Sequence, residues 1–199
     1  MSAAPPAKSA PFQLLGQLGE RYLILESDDG LVLMHRRAAH ERILYEEALK
    51  AMEGTGVAAQ ALLRPEILEL PPEDYQVAMA HAEALERLGV GFAPFGENTL
   101  KIDSLPAICS ESEPAGFVSK LIADLREGGA SAGRRQNDRQ LAAAVSHRAA
   151  RYSEATHCEE LKALIRRLMD CDMPYCDARG RSTLIQFSYQ ELARKFGEK

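Results

Sequence analysis

The sequence lacks the features that mark membrane proteins and secreted disulfide scaffolds. No apolar run approaches the ~18 residues that a membrane-spanning helix needs. The first eleven residues contain no apolar stretch of the kind found in signal peptides, so we expect residues 1–11 to form a linker or flexible arm. The chain has 4 cysteines, too unevenly spread for a disulfide framework. We therefore expect reduced thiols and a cytoplasmic protein.

The sequence also lacks the excess of proline and glycine that marks collagen-like and many disordered chains. The 199 residues include 10 Pro and 14 Gly, with 46% hydrophobic and 27% charged residues. This length and composition are typical of one globular domain, or of two small lobes that share a core.

An overall excess of positive charge is lacking, but one stretch of the chain is locally basic. The net charge is −5; residues 1–116 carry 9 basic and 18 acidic groups (−9), whereas residues 117–151 carry 7 and 3 (+4). A nucleic-acid contact would therefore involve the middle of the chain. The alternative is an ordinary solvated helix face. The candidate DNA-contacting residues are Arg134, Arg135, Arg139, Arg148 and Arg151.

The segment from Phe12 to Met34 predicts three strands, with a turn at Asp28-Asp29-Gly30. In two of these strands neighbouring residues are all apolar, so both faces need cover. Helices can cover one face, and a second copy of the chain can cover the other. The predicted dimer-interface residues are Tyr22, Leu23, Ile24, Leu25, Leu31 and Leu33.

The rest of the chain alternates between helical and extended patterns. The predicted helices are 38–52, 72–89, 114–126, 137–152 and 157–169, followed by one that Ser188-Tyr189-Gln190-Glu191 begins as a capping box. The predicted strands are 61–70, 91–95, 99–105 and 183–187. We expect residues 128–133, which are rich in glycine, to be flexible.

Several short motifs, in this order and spacing, resemble the C-terminal domain of the MutL family of DNA mismatch repair proteins. The motifs begin with Gly16-Gln17-Leu18 and with Ala38-Ala39-His40-Glu41-Arg42-Ile43-Leu44-Tyr45-Glu46-Glu47. They continue with Gly91-Phe92 and Pro94-Phe95-Gly96, resume at Ala144 to Arg151, and end with Cys176 and Gly180-Arg181-Ser182-Thr183-Leu184-Ile185.

The resemblance implies an α+β fold with two lobes. A discontinuous dimerisation lobe, with a mixed sheet and helices, would comprise residues 12–57 plus 136–199. An outer, regulatory α/β lobe, 58–135, would be inserted in it. The predicted boundaries between the lobes, near residues 57 and 135, lie beside Gly56 and Gly133.

Many relatives of this family nick DNA with metal ions held by Asp-Gln-His-Ala-x-x-Glu-x-x-x-x-Glu, a cysteine on a helix, and Cys-Pro-His before Gly-Arg-Pro. Here His35, Arg36 and Arg37 replace the first three residues. Arginine cannot ligate a metal and repels it. The resemblance therefore implies a vestigial site and no cofactor, although His35, His147 or Asp177 could in principle restore a ligand. The vestigial positions are His35, Arg37, Glu41, Glu46, Ser146 and Cys176.

The segment Gln60-Ala61-Leu62-Leu63-Arg64-Pro65 is similar to the short segment by which the outer lobes of this family contact the replication sliding clamp. A peptide of this kind docks in a groove through Gln60, Leu62 or Leu63, and Pro65. The alternative is an ordinary strand with its leucines in the core.

These observations predict a homodimerisation module of a mismatch repair protein without nuclease activity. It would tether two ATPase arms supplied by an N-terminal part, and bind the sliding clamp, other repair proteins and, weakly, DNA in the bacterial nucleoid. The alternatives are a metal-dependent DNA-nicking endonuclease with altered ligands, and a clamp- or DNA-binding adaptor that does not dimerise stably.

Overall fold

The computed structural model describes residues 12–109, 113–127, 134–150 and 158–198. Its strands are β1 (Gln13–Leu18), β2 (Tyr22–Ser27), β3 (Gly30–His35), β4 (Ala59–Glu69), β5 (Gly91–Pro94), β6 (Thr99–Pro106) and β7 (Leu184–Ser188). Its helices are α1 (Arg36–Glu53), α2 (Pro72–Ala80), α3 (Ala82–Arg87), α4 (Pro114–Glu127), α5 (Arg134–Ala149), α6 (Cys158–Met169) and α7 (Tyr189–Lys195). The predicted α+β class is confirmed.

The chain divides into two compact units. Unit 1 comprises Met1–Ile43 and Glu154–Lys199, and unit 2 comprises Leu44–Ser153. The lobe boundaries expected from the family resemblance, near residues 57 and 135, differ from these limits and remain a prediction. In the part of the chain that the structure describes, no helix is both long and apolar enough to cross a membrane.

Unit 1 contains a four-stranded sheet in the order β1-β2-β3-β7. Tight turns join the first three strands, and β7 returns from the far end of the chain to pair with β3. The turn before β3 depends on Gly30, because a side chain there would clash with the backbone carbonyl of Phe187 in β7. Gly30 also has φ +148, which favours glycine.

The inner face of this sheet forms the core of unit 1. Leu23, Leu25, Val32 and Met34 are at most 1% exposed. Helix α6 covers them with Leu161, Leu164, Ile165 and Leu168, which recur at the helical spacing of one apolar stripe. Ala39 and Ile43 of α1 complete the cluster.

Unit 2 contains a three-stranded sheet in the order β4-β6-β5, so β4 lies at an edge. Its core gathers side chains from α3, α4, α5 and the sheet. The largest fully buried members are Leu85, Leu88, Leu100, Ile102, Phe117, Leu121, Ile122 and Leu141. The second half of α1 adds Leu44, Ala48 and Met52.

Two details of the fold differ from the predictions. All strand pairs among the described residues are antiparallel, so the expected mixed sheet is wrong. Hairpins join β1 to β2, β2 to β3 and β5 to β6, and β7 enters antiparallel to β3. The helix predicted over 72–89 is broken at His81, whose backbone leaves the helical region at φ −108 and ψ 14. No proline or glycine marks this break in the sequence.

Candidate functional site

The outer face of the unit 1 sheet carries the predicted dimer-interface side chains. Strand register places Ile24 opposite Leu33, and Leu33 opposite Ile185. Ile185 is 53% exposed and Tyr22 is 39% exposed. We define the outer face as Tyr22, Ile24, Leu31, Leu33 and Ile185.

Two of the predicted interface residues do not lie on this face. Leu23 and Leu25 are fully buried in the core of their own unit, because side chains alternate between the two faces of a strand. Their inclusion in the interface is corrected: they are not available to a partner. Ile185, which is not among the predicted interface residues, also lies on this face; the alternation in the predicted strand 183–187 could have placed it there.

The positions of the predicted vestigial metal site are divided between the two units. His35, Arg37, Glu41 and Cys176 belong to unit 1, whereas Glu46 and Ser146 belong to unit 2. Arg37 is exposed, Glu46 is buried on α1, and Ser146 is buried on α5, where its hydroxyl donates to the carbonyl of Ala143 at 3.1 Å.

In unit 1, one arginine holds two buried carboxylates. Arg181 Nη2 donates to Glu41 Oε2 at 3.0 Å and Arg181 Nε donates to Asp177 Oδ2 at 2.6 Å. Glu41 is 0% exposed and Asp177 is 1% exposed. Partial burial acts to lower the pKa of Arg181, but the hydrogen bonds and charges of Asp177 and Glu41 outweigh it and raise that pKa above its ordinary value.

The loop that carries Asp177 is fixed from both sides. The backbone N–H groups of Arg179 and Arg181 each donate to Asp177 Oδ1 at 2.9 Å. From α1, Arg42 Nε donates to the Cys176 carbonyl at 2.6 Å, and Arg42 Nη2 donates to Cys176 Sγ at 3.3 Å. The loop is therefore tied to helix α1 by two guanidinium groups.

These residues do not fit a divalent metal ion. Glu41 and Cys176, the two motif ligands retained in unit 1, each accept a hydrogen bond from a permanently charged arginine. Asp177, a possible replacement ligand, has both carboxylate oxygens occupied. Within the described ranges, no three His, Cys, Asp or Glu side chains lie close enough to hold an ion.

Two contacts within unit 1 hold the His35 ring. Its Nδ1 accepts a hydrogen bond from the Ala38 N–H at 3.1 Å, and its ring packs edge-on against Tyr22 with centroids 5.3 Å apart. Burial is the main cause that lowers the pKa of His35 below its ordinary value; the positive charges of Arg181, Arg37 and Arg21 lower it further.

The clamp-like segment forms a wide bulge in the edge strand β4. Ala61 pairs with Ser104, but the next pair is Glu66 with Ile102, so the four residues 62–65 lie opposite one residue of β6. Leu63 is fully exposed, and Gln60 and Pro65 are also exposed. Leu62 instead packs against the core of unit 2. Of the two leucines, Leu63 is the one available to a partner.

The candidate DNA-contacting arginines differ in their surroundings. Arg148 Nη1 donates to Asp124 Oδ2 at 2.9 Å, and its guanidinium lies 6.0 Å from the Phe117 ring centroid. Arg135 and Arg139 are exposed on α5. The side chain of Arg134, the whole of Arg151 and the predicted flexible segment 128–133 lie outside the described residues.

Comparison with known proteins identifies relatives along most of the chain. The family model for the MutL C terminal dimerisation domain matches residues 15–156. The DNA mismatch repair protein MutL of Akkermansia muciniphila is 33% identical over 189 residues, which cover 95% of this chain and 30% of that protein. That of Rhizobium meliloti is 36% identical over 182 residues, which cover 91% of this chain and 30% of that protein. The chain thus spans about a third of the length of these relatives.

Proposed function

Because this chain belongs to the MutL family, as the C-terminal dimerisation domain of a DNA mismatch repair protein, we propose that it acts by tethering two ATP-dependent arms and has no nuclease activity of its own. Joining two arms through one stable dimer makes their encounter intramolecular and so raises their effective concentration. The arms would belong to an N-terminal part of the full-length protein. The module would work in the bacterial cytoplasm, at the nucleoid during repair, with other mismatch repair proteins.

The outer face of unit 1 supports a symmetric homodimer. Ile24, Leu33 and Ile185 form a continuous apolar row across three strands, and in a two-fold dimer the same row on a second copy would cover it. Burying this row removes apolar area from water in both subunits, which favours association.

Light scattering of the purified chain at micromolar concentration tests the dimer. We expect a dimer for the natural sequence and a monomer for Leu33→Asp, because a carboxylate in a buried apolar interface has no partner. Leu63→Asp is the matched control, since Leu63 is apolar and exposed but lies in unit 2; it should remain a dimer. A monomeric natural chain would contradict the proposal and favour the adaptor alternative.

The bulge in β4 supports docking to the sliding clamp. Leu63 can enter an apolar pocket, Gln60 can supply hydrogen bonds, and Pro65 reduces the entropy lost on docking. In a clamp pull-down, Leu63→Asp and Gln60→Ala should lose binding while the dimer persists. Leu33→Asp should still bind the clamp, although without the avidity of a dimer. Undiminished binding by Leu63→Asp would contradict this assignment.

The engagement of Glu41 and Cys176 by arginines is the observation that supports a non-catalytic module. Incubation of supercoiled DNA with the chain and Mn²⁺, Mg²⁺ or Zn²⁺ should leave the DNA closed. Nicking that is lost in Glu41→Ala would establish the endonuclease alternative, because a contaminating nuclease would not respond to that substitution.

A further inference from the structure

Two buried carboxylates of unit 1 meet at a site that is open to water on one side. Glu41 on α1 is 0% exposed, and Asp177 in the loop before β7 is 1% exposed. The fold brings them together although they lie near opposite ends of the chain. The side chain of Arg181, which binds both, is 54% exposed. The site is therefore accessible to solvent at the position of this guanidinium.

The guanidinium of Arg181 binds both carboxylates with one edge. Its Nε donates to Asp177 Oδ2 at 2.6 Å, and its Nη2 donates to Glu41 Oε2 at 3.0 Å. These two N–H groups lie in the plane of a rigid fork, whereas an ammonium group is a compact point charge. The two acceptor oxygens thus lie where a planar cation can reach both at once.

The acceptors are held in place without the side chain of Arg181. Asp177 Oδ1 accepts the backbone N–H groups of Arg179 and Arg181, each at 2.9 Å. On the other side, Arg42 follows Glu41 on α1, and its Nε donates to the Cys176 carbonyl at 2.6 Å. These contacts would persist if the side chain of Arg181 were truncated, so the two carboxylates would still face the same space.

The pair of carboxylates is better suited to a planar cation than to a metal ion. Each carboxylate presents one oxygen to the guanidinium, and a planar fork needs only two such acceptors. Zinc is bound by about four ligand atoms, and calcium by about six or more. The neighbouring thiol of Cys176 is engaged by Arg42 Nη2 at 3.3 Å, and this guanidinium is permanently charged. A divalent ion would therefore meet a fixed cation beside an incomplete ligand set.

We propose that Glu41 and Asp177 form a receptor for a guanidinium ion, with Arg181 as its resident ligand. The proposal rests neither on dimerisation nor on the lack of nuclease activity, because it concerns which cation the carboxylates select. In the natural chain, the order of the loop before β7 then depends on a cation that the chain itself carries. A chain without the Arg181 side chain should bind free guanidinium in its place.

Urea titration of Arg181→Ala with and without guanidinium chloride tests the receptor. A cation of so few atoms should bind with a dissociation constant on the order of 1 mM. At about 10 mM guanidinium, the equilibrium constant for unfolding of this variant should then fall about tenfold. This concentration is far below those that denature proteins, and an equal concentration of sodium chloride is the reference for ionic strength. The natural chain should not respond, because Arg181 already fills the receptor.

Two matched variants define the receptor. Glu41→Gln combined with Arg181→Ala removes one acceptor charge and should abolish the response to guanidinium. Arg179→Ala lies in the same loop but keeps the resident cation, and it should behave like the natural chain. An equal response in all variants would overturn the receptor, because it would reflect a general ion effect. Failure of guanidinium to stabilise Arg181→Ala would overturn it too.

A lysine at the same position tests the requirement for a planar fork. Arg181→Lys keeps the positive charge but donates from a single nitrogen, so its unfolding constant should exceed that of the natural chain about tenfold. A lysine variant as stable as the natural chain would overturn the proposed geometry. If Arg181→Ala is unfolded without urea, circular dichroism should show that guanidinium restores folded protein; absence of recovery would contradict the proposal.

Divalent ions separate this proposal from the nuclease alternative. Zn²⁺, Mn²⁺ or EDTA should leave the urea midpoint of the natural chain unchanged. Stabilisation of the natural chain by either metal ion that is lost in Glu41→Gln would overturn the proposal, because the metal would then displace Arg181. If the natural chain nicks DNA without such stabilisation, the proposed lack of nuclease activity fails while the receptor stands.

Discussion

Among the residues that the structure describes, unit 2 gathers 23 buried apolar residues into one cluster, whereas unit 1 gathers ten. Both units place helices against an antiparallel sheet, yet unit 1 also leaves an apolar outer face on its sheet. The bulge in β4 of unit 2 instead exposes a single leucine, Leu63, close to the polar side chain of Gln60. If unit 1 completes its burial by association, as proposed above, unit 2 should be stabilised by its own core and unit 1 should depend on the partner copy. Four experiments test this contrast.

The largest effect should come from the core of unit 2. Phe117 is 2% exposed at the centre of that cluster, so Phe117→Ala should lower the free energy of unfolding by about 3–5 kcal/mol. Native-state hydrogen exchange can follow the amides of α4 and of β2 separately. We expect the loss in α4 and little change in β2; Lys120→Ala, exposed on the same helix, should change neither. Equal losses in both units would show that they unfold together and would remove the contrast.

The buried charges should give the next largest effect. Arg181→Ala leaves Glu41 and Asp177 buried without their shared cation. Removing one partner of a fully buried pair costs 3–5 kcal/mol, but Arg181 is 54% exposed, so we expect about 2 kcal/mol in a urea titration. Arg179→Ala in the same loop should be nearly neutral, since only the backbone N–H of that residue binds Asp177. If Arg181→Ala leaves the free energy of unfolding unchanged, water replaces the guanidinium as the partner of the two carboxylates.

Protein concentration should affect unit 1 alone. If a second copy covers the outer face, β2 can open only after the dimer dissociates. The concentration of free monomer rises as the square root of the total protein concentration. Exchange protection of β2 should therefore grow by about 0.7 kcal/mol for each tenfold increase in concentration above the dissociation constant. Protection of α4 should stay constant, and Leu33→Asp should abolish the dependence. Protection of β2 that ignores concentration would argue against association through this face.

The smallest effect concerns pH. Because the pKa of His35 is lowered in the folded chain, the unfolded chain takes up a proton at higher pH than the folded one. This residue therefore makes stability fall as the pH drops below about 6.5 towards the lower, folded pKa. The difference in melting temperature between about pH 8 and about pH 5.5 should shrink in His35→Gln. An unchanged difference would assign the acid sensitivity to other groups.

The sequence predicted most elements because their signals are local. Helix α6 has a single apolar stripe, and the capping box at Ser188 is present, with the Glu191 N–H donating to Ser188 Oγ at 3.2 Å. The meander of β1, β2 and β3 follows from apolar runs separated by a turn. Apolar runs alone do not show which side of each strand faces its own core, and for this reason they predict Leu23 and Leu25 in the interface although both are buried.

The candidate sites depend on contacts that no local pattern specifies. Glu41 and Arg181 are 140 residues apart, and Arg42 and Cys176 are 134 residues apart. The metal motif pointed to the correct region, since Glu41 and Cys176 both lie there, but only the folded loop reveals that arginines occupy these groups. Likewise, the sequence of residues 61–70 predicts a regular strand. The bulge, in which residues 62–65 lie opposite one residue of β6, depends on the pairing with that strand.

The bulge in β4 also determines what this edge of the sheet can do to neighbouring molecules. A straight edge strand offers an unbroken ladder of N–H and C=O groups on which foreign strands can grow into aggregates. Here residues 62–65 bulge out of register with β6, which bends this edge, and Pro65 has no N–H to offer. The protein can thus display Leu63 permanently to water while denying other chains a template for cross-β stacking.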